Sequence, residues 1–163
     1  MHKGGDAVRP TAFAQTFTWL VGFLVVGCAH DIHQQRADAI KEHSRAFYEH
    51  LRADRVPAAI GENERIEALA IDLGEQIRTR RQQLGANQVD REWAMLRTAK
   101  SAAAENWLAL ARYLTHKERY EQARRTYQRI LDTYGDPLYR SYTEQAELGL
   151  RDLNILSAPA AKP

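Results

Sequence analysis

The sequence predicts an all-α protein built from antiparallel helical hairpins. Gly and Pro, the usual helix breakers, number only 9 and 5 among 163 residues, and several of them stand near the ends of the chain. Nowhere do β-branched and aromatic residues alternate with polar ones over the length of a strand. Apolar residues instead recur at steps of 3 and 4, which places them on one face of a helix. These observations favour a short α-solenoid or a helical bundle.

The N-terminus has the layout of a secretory signal peptide. Lys3 and Arg9 stand in a polar leader, and an uncharged run from Thr11 to Gly27 follows, apolar in its second half. That run has 17 residues and includes Gln15, so it is short for a transmembrane span, which needs about 20 apolar residues. The alternative is an uncleaved signal anchor with an incidental cysteine.

The junction that follows, Val25-Val26-Gly27-Cys28, resembles the lipobox of bacterial lipoproteins, although Val25 stands where that family usually has leucine. The resemblance implies that residues 1–27 are a lipoprotein signal peptide. It also implies that Cys28 becomes the N-terminus and carries a thioether-linked diacylglycerol and a further acyl chain. Two or three acyl chains anchor a protein stably, at about 0.8 kcal/mol per buried CH₂. Ala29, in place of the Asp of an inner-membrane retention signal, implies an outer-membrane lipoprotein facing the periplasm.

A membrane-proximal linker helix is predicted within residues 28–56, on a narrow apolar seam. The seam consists of Ala37, Ile40, Phe47 and Leu51. So narrow a seam favours contact with a single neighbour or a spacer role. Pro57 and Gly61 then predict a break before a helical domain over residues 57–156.

Helix two is predicted from about Asn63 to Leu84. Its apolar row is Ile66, Ala70, Leu73, Ile77 and Leu84. We expect Gly85 to take the left-handed conformation that follows a helix and Asn87 to cap the next one.

Helix three is the clearest element, because its apolar steps alternate between 4 and 3. The row is Val89, Trp93, Leu96, Lys100, Ala103, Trp107, Leu110 and Leu114. Only Lys100 interrupts it, and the stem of a lysine can lie along a surface with its ammonium in water.

Capping signals delimit the last two helices. Thr115 and Glu118 have the spacing of a capping box at the start of helix four. The sequence Gly-Asp-Pro at 135–137 predicts the end of helix four and the cap and first turn of helix five, which runs to about Leu156. The Pro-containing tail, 157–163, is expected to be flexible.

Residues 105–154 resemble a tetratricopeptide (TPR) unit, and in particular the repeats of periplasmic and outer-membrane TPR proteins. The positions that match the motif are Trp107, Leu110, Ala111, Tyr120, Ala123 and Tyr127. Leu114 and Ile130 depart from the family's usual Tyr and Ala. The resemblance implies stacked hairpins with a concave groove for a peptide or a partner helix. The alternative is an ordinary antiparallel bundle in which the aromatic residues fill the core.

The charge balance and the motifs that are missing argue against several classes of function. Lys and Arg number 23 against 21 Asp and Glu, so the basic excess needed for nucleic-acid binding is missing. One cysteine rules out an internal disulfide and a multi-cysteine zinc site. His43 and His50 lie seven apart without an obvious third ligand, which predicts solvated histidines rather than a metal site. Phosphate-loop, nucleophile-elbow and H-E-x-x-H motifs are missing too, and we expect neither catalysis nor a cofactor beyond the covalent lipid.

Two further patterns concern charged surfaces. The carboxylates, including Glu62, Glu64 and Glu67, alternate with basic residues, which predicts solvent-facing helix surfaces. Arginines on helix four stand beside tyrosines, a combination enriched at interfaces, although a solvated basic face fits the pattern equally. The predicted partner contacts are Arg124, Arg125 and Tyr127.

The preferred hypothesis is a lipid-anchored envelope protein that acts as a non-catalytic interaction scaffold or assembly accessory. Its expected partner is another envelope protein or peptide. One alternative is a homo-oligomer formed as a coiled coil on the seam of helix three or of helix one. A small cell-envelope hydrolase is a more distant alternative.

Overall fold

The computed structural model describes residues 18–80, 82–83 and 85–157, and their side chains from Ile32 onward. The elements are α1 (Thr18–Arg52), α2 (Val56–Arg80), α3 (Ala86–His116), α4 (Tyr120–Thr133), a 3₁₀ turn (Pro137–Tyr139) and α5 (Arg140–Leu156). No strand occurs among the described residues, so the all-α prediction is confirmed. The expected leader up to Phe17, the side chain of Cys28 and the tail from Ala158 lie outside the described residues.

The chain divides into two compact units, Met1–Arg36 and Ala37–Pro163. In the first, the described residues form the N-terminal part of α1, and no described helix is both long and apolar enough to cross a membrane. The second unit holds the rest of α1, where Ile40, Phe47 and Leu51 are buried. The later half of the expected linker helix therefore belongs to the helical domain.

The second helix begins earlier than predicted, at Val56. Pro57 occupies its first turn, where a missing N–H leaves no helical hydrogen bond unmade, and Gly61 lies inside the helix. The break is confined to residues 53–55, where Asp54 adopts a φ of 54°. Asp tolerates this left-handed conformation better than most residues. A break before residue 57 is therefore present, but it lies at residues 53–55. Pro57 belongs to the start of α2, and Gly61 does not interrupt the helix.

Two predicted helix caps are also wrong. Gly85 has a φ of −65° and precedes α3 as its N-cap, with Asn87 already inside the helix. Thr115 lies within α3 and donates its hydroxyl hydrogen to the carbonyl of Ala111 at 2.9 Å, so it does not cap α4. Asp136 acts as a cap, since its carboxylate accepts from the Leu138 N–H at 2.9 Å, but the element that it caps is the 3₁₀ turn before α5 rather than α5 itself.

The longest element of the second unit, α3, lies at the centre of the packing. It packs against α2 and α4, while α5 packs against both α4 and α3. Its predicted seam is buried at Leu96, Trp107, Leu110 and Leu114. The seam of α3 is thus covered inside this chain from Leu96 onward, as is the seam of α1 at Ile40, Phe47 and Leu51, whereas Trp93 at the start of the α3 seam remains exposed. The coiled-coil alternative stays a prediction.

A buried polar pair joins α2 to α3. Asn106 Nδ2 donates to Asn63 Oδ1 at 2.9 Å, and Asn63 Nδ2 donates to the Ala103 carbonyl at 3.1 Å. Both asparagines are buried, so each of these bonds removes a desolvation cost of about 1–3 kcal/mol. Because the two amides must meet, the pair fixes the register of α2 along α3.

Candidate interaction groove

A cavity of about 590 Å³ opens between α2 and α4, over the surface of α3. We call it the α2–α4 groove. The residues that shape it are Ala70 and Ile71 of α2, Lys100 and Ala103 of α3, and Arg125 and Arg129 of α4. Two helices that flank a longer central one leave such a trough where the side chains between them are small.

A cluster centred on Glu67 ties the three helices together beside this groove. Its carboxylate accepts from Trp107 Nε1 at 2.8 Å and from the Tyr134 hydroxyl at 2.9 Å, both at Oε1. Arg129 donates to Oε2 at 2.6 Å, and its guanidinium lies 4.2 Å from the centre of the Trp107 ring. Charge-assisted hydrogen bonds of this kind are roughly twice as strong as neutral ones. The cluster therefore holds both walls of the groove against its floor.

The role of this cluster is structural. Only 16% of the Glu67 side chain is exposed, and donors from three residues occupy its oxygens, so the carboxylate is engaged rather than free. Burial, together with the neighbouring Glu67 carboxylate, raises the pKa of Tyr134 far above its ordinary value, which keeps the phenol protonated as a donor. No group of His, Cys, Asp and Glu within the described residues is arranged to hold a metal ion.

The open part of the groove combines small residues with two cations, the half-buried Lys100 and the exposed Arg125. Ala70 and Ala103 are buried and form its base, whereas the Ile71 side chain is 67% exposed on the rim. Within the described part of the chain, Lys100 and Arg125 form no ion pair. The Lys100 ammonium lies 5.8 Å from the centre of the Tyr139 ring, and Arg125 Nε bonds only to a backbone carbonyl of its own helix at 3.3 Å.

The three predicted partner contacts do not converge on one surface. Arg125 lines the groove. Arg124 points to α5, where it donates to Asn154 Oδ1 at 2.7 Å. Tyr127 is only 3% exposed, with its ring against Gly149 of α5. Successive helical residues are separated by about 100°, so neighbours in sequence face different neighbours in space.

The TPR-motif positions lie in the core. Trp107, Leu110, Ala111, Ala123 and Tyr127 are buried, and Tyr120 is partly buried against the same core. Burial at these positions fits a repeat and an ordinary bundle equally well, so the repeat in residues 105–154 stays a prediction.

The sequence patterns missed the central carboxylate. Glu67 was expected on a solvent-facing surface because it alternates with basic residues, and that prediction is wrong. The available signal was indirect: a buried Trp or Tyr needs a hydrogen-bond partner, and Trp107 lies in the clearest apolar row of the chain. Glu62 is also mostly buried rather than solvent-facing, and one of its carboxylate oxygens lies 2.8 Å from His43 Nδ1. The prediction that His43 is solvated is therefore wrong as well.

Comparison with known proteins adds no relative. No family model, curated protein or solved structure matches this chain. The inference of function therefore rests on the groove and on the sequence motifs.

Proposed function

We propose that this chain is a lipid-anchored protein of the bacterial cell envelope that binds a helical segment of another envelope protein in the α2–α4 groove. It acts as a non-catalytic scaffold or assembly accessory. The observation that carries the proposal is the shape of the groove, in which Ala70 of α2 and Ala103 of α3 form a base of small residues beneath α2 and α4. An amphipathic helix binds such a trough by laying its apolar face into it.

The Glu67 cluster supports this role energetically. It joins α2 to α3 through Trp107 and α2 to α4 through Arg129 and Tyr134. Walls that are already held in place need little further ordering when a ligand enters, so less of the binding free energy is lost. The Asn63–Asn106 pair supports the same rigidity between α2 and α3.

The location is proposed from the sequence. The lipobox-like junction at residues 25–28 supports lipidation of Cys28, and Ala29 supports an outer-membrane protein facing the periplasm. The TPR-like pattern of residues 105–154 supports a role in protein–protein interaction.

The anchor is tested by the intact mass of the protein extracted from membranes, together with the mass of its N-terminal peptide. We expect a chain that begins at Cys28 and carries acyl groups. A Cys28→Ser variant serves as the control and should retain residues 1–27. An unmodified wild-type chain that still contains residues 1–27 would refute the lipid anchor and leave the groove untouched.

The groove is tested by photo-crosslinking in intact cells from two exposed isoleucines. Ile71 lies on the groove rim, and Ile155, 75% exposed on α5, is its matched control. We expect a crosslinker at position 71 to capture a discrete envelope protein that a crosslinker at position 155 does not capture. The same adducts from both positions, or none from position 71, would contradict binding in the groove.

Self-association is the second candidate, because α5 carries exposed apolar side chains. Leu148 and Ile155 are both exposed and lie seven residues apart, on one face of the helix. A second copy could cover this face in an isologous pair. Sedimentation of the detergent-solubilised chain decides the point: a monomer at micromolar concentration removes this candidate.

A further inference from the structure

The α2–α4 groove contains charges that its own residues leave unpaired. Its lining carries the cations Lys100, Arg125 and Arg129 and the carboxylates Glu67 and Asp132. Arg129 is paired with Glu67. One anion, which accepts a hydrogen bond from Gln128 at 3.0 Å, therefore remains against two cations.

These two cations stand on different helices of the groove, one on its floor and one on a wall. Lys100 belongs to α3 and Arg125 to α4, and within the described residues neither contacts a carboxylate. A helix that enters the groove removes water from both groups. Desolvation of an unpaired charge is costly, and a carboxylate on the entering helix offsets that cost.

The apolar part of the surface continues beyond Lys100. This lysine also lines a second cavity of about 380 Å³, whose other residues include Trp93 and Leu138. Both of these apolar side chains are exposed, with 48% of Trp93 accessible. Exposed tryptophan is a frequent anchor of binding energy at interfaces. Ile71 and Trp93 thus supply apolar contact on either side of a cationic position.

From this arrangement we propose that the groove selects an acidic amphipathic helix. The partner helix places an apolar face over Ala103 and Ile71 and carries carboxylates on its flanks that pair with Lys100 and Arg125. This inference rests on the proposed function of the groove, and it specifies the chemical class of the partner segment.

The test uses two labelled peptides of about 18 residues, a length at which helices become appreciably stable. Both have the same Leu/Ala face, and they differ only in flanking residues, Glu in one and Lys in the other. Binding to the full chain in a non-ionic detergent is measured by fluorescence anisotropy. We expect the Glu peptide to bind about tenfold more tightly, with a preference that weakens as salt is added.

Charge-reversal variants localise the effect. The double variant Lys100→Glu/Arg125→Glu should reverse the peptide preference, and the milder Lys100→Gln/Arg125→Gln should abolish it. The matched control is Arg140→Glu/Arg151→Glu, which makes the same change in net charge on exposed positions of α5. This control should keep the preference for the Glu peptide.

The possible failures separate the two proposals. Equal binding of both peptides to the wild-type chain, with loss of binding in Ile71→Gln, overturns the acidic-partner inference and leaves the groove standing. If the control Arg140→Glu/Arg151→Glu also reverses the peptide preference, the inference is overturned as well, since the effect then follows net charge alone. Binding of neither peptide, or binding that Ile71→Gln does not change, overturns the groove itself.

Discussion

Replacement of Gly149 by Ala tests how closely α5 approaches α4. A Cβ at this position would lie 2.6 and 2.7 Å from Cε1 and Cε2 of Tyr127, and closer still to its Cζ. Unstrained carbon atoms sit about 3.5–4.0 Å apart, so each of these distances is short by about 1 Å. The Tyr127 ring is buried, and the buried Ala123 and Ala146 lie on the same helices. A Cβ at this position therefore requires either the ring or α5 to shift.

The expected change in unfolding free energy is the sum of two opposing contributions. Ala is about 1 kcal/mol more favourable than Gly inside a helix. Overpacking a well-filled core costs about 1–3 kcal/mol, and overlap with three atoms of a buried ring places Gly149→Ala at the upper end. The net change is a loss of about 2 kcal/mol of unfolding free energy, or about 4–8 °C in Tm.

Thermal unfolding followed by far-UV circular dichroism measures this change. Gly74→Ala is the matched control, because it lies inside α2 and a Cβ there meets no heavy atom within 4 Å. It should raise the unfolding free energy by about 0.4–1 kcal/mol. If Gly149→Ala is as stable as the wild type while Gly74→Ala behaves as expected, the close packing of Tyr127 on Gly149 is refuted.

The remaining predictions concern charged and ionisable groups. Glu67→Ala should lower the free energy of unfolding in urea by about 2–3 kcal/mol, because it leaves buried donors unpaired. The control Glu64→Ala removes an exposed carboxylate and should cost less than about 0.5 kcal/mol. Equal costs for the two variants would show that the cluster is not structural. Burial beside Glu67 raises the pKa of Tyr134, so the unfolded phenol ionises first, and stability should be full below about pH 10 and fall above it. Tyr134→Phe should flatten this alkaline loss, and an unchanged slope would contradict the assignment. Burial alone would raise the pKa of Glu62, yet hydrogen bonds led by that from His43 lower it, so its stabilisation should be present above pH 4.5 and disappear as pH falls further. Glu62→Gln should reduce the acid dependence of the urea midpoint, and an unaltered acid limb would exclude this pair as its source.

Local sequence patterns were sufficient to predict that the helices exist and which residues form most of the core. The steps of 3 and 4 in α3 place Leu96, Trp107 and Leu110 on one face, and all of them are buried. The cap at Asp136 is equally local, since its carboxylate bonds to an N–H two residues away. Periodicity and capping depend on residues within a few positions of one another, so the sequence alone contains the necessary information.

The helix boundaries could not be predicted from local patterns alone, because they depend on tertiary packing. Gly61 was expected to interrupt the chain near Pro57, but the first turns of α2 are buried at Val56 and Ala59, and the helix continues through Gly61. Thr115 has the sequence of a cap and yet lies inside α3, which continues as long as its apolar row is covered. Burial of a helix face is worth more than a single capping or breaking signal.

The sequence by itself determined the helical class, the apolar rows and the lipobox-like junction at Cys28. Only the tertiary structure decided which charges meet, because the donors to Glu67 stand 40, 62 and 67 residues further along the chain. The same holds for Arg124 and Arg125, which are adjacent in sequence but face α5 and the α2–α4 groove, respectively. A charge pattern along one helix describes only its immediate neighbours, whereas a binding surface is formed by residues that packing brings together from several helices.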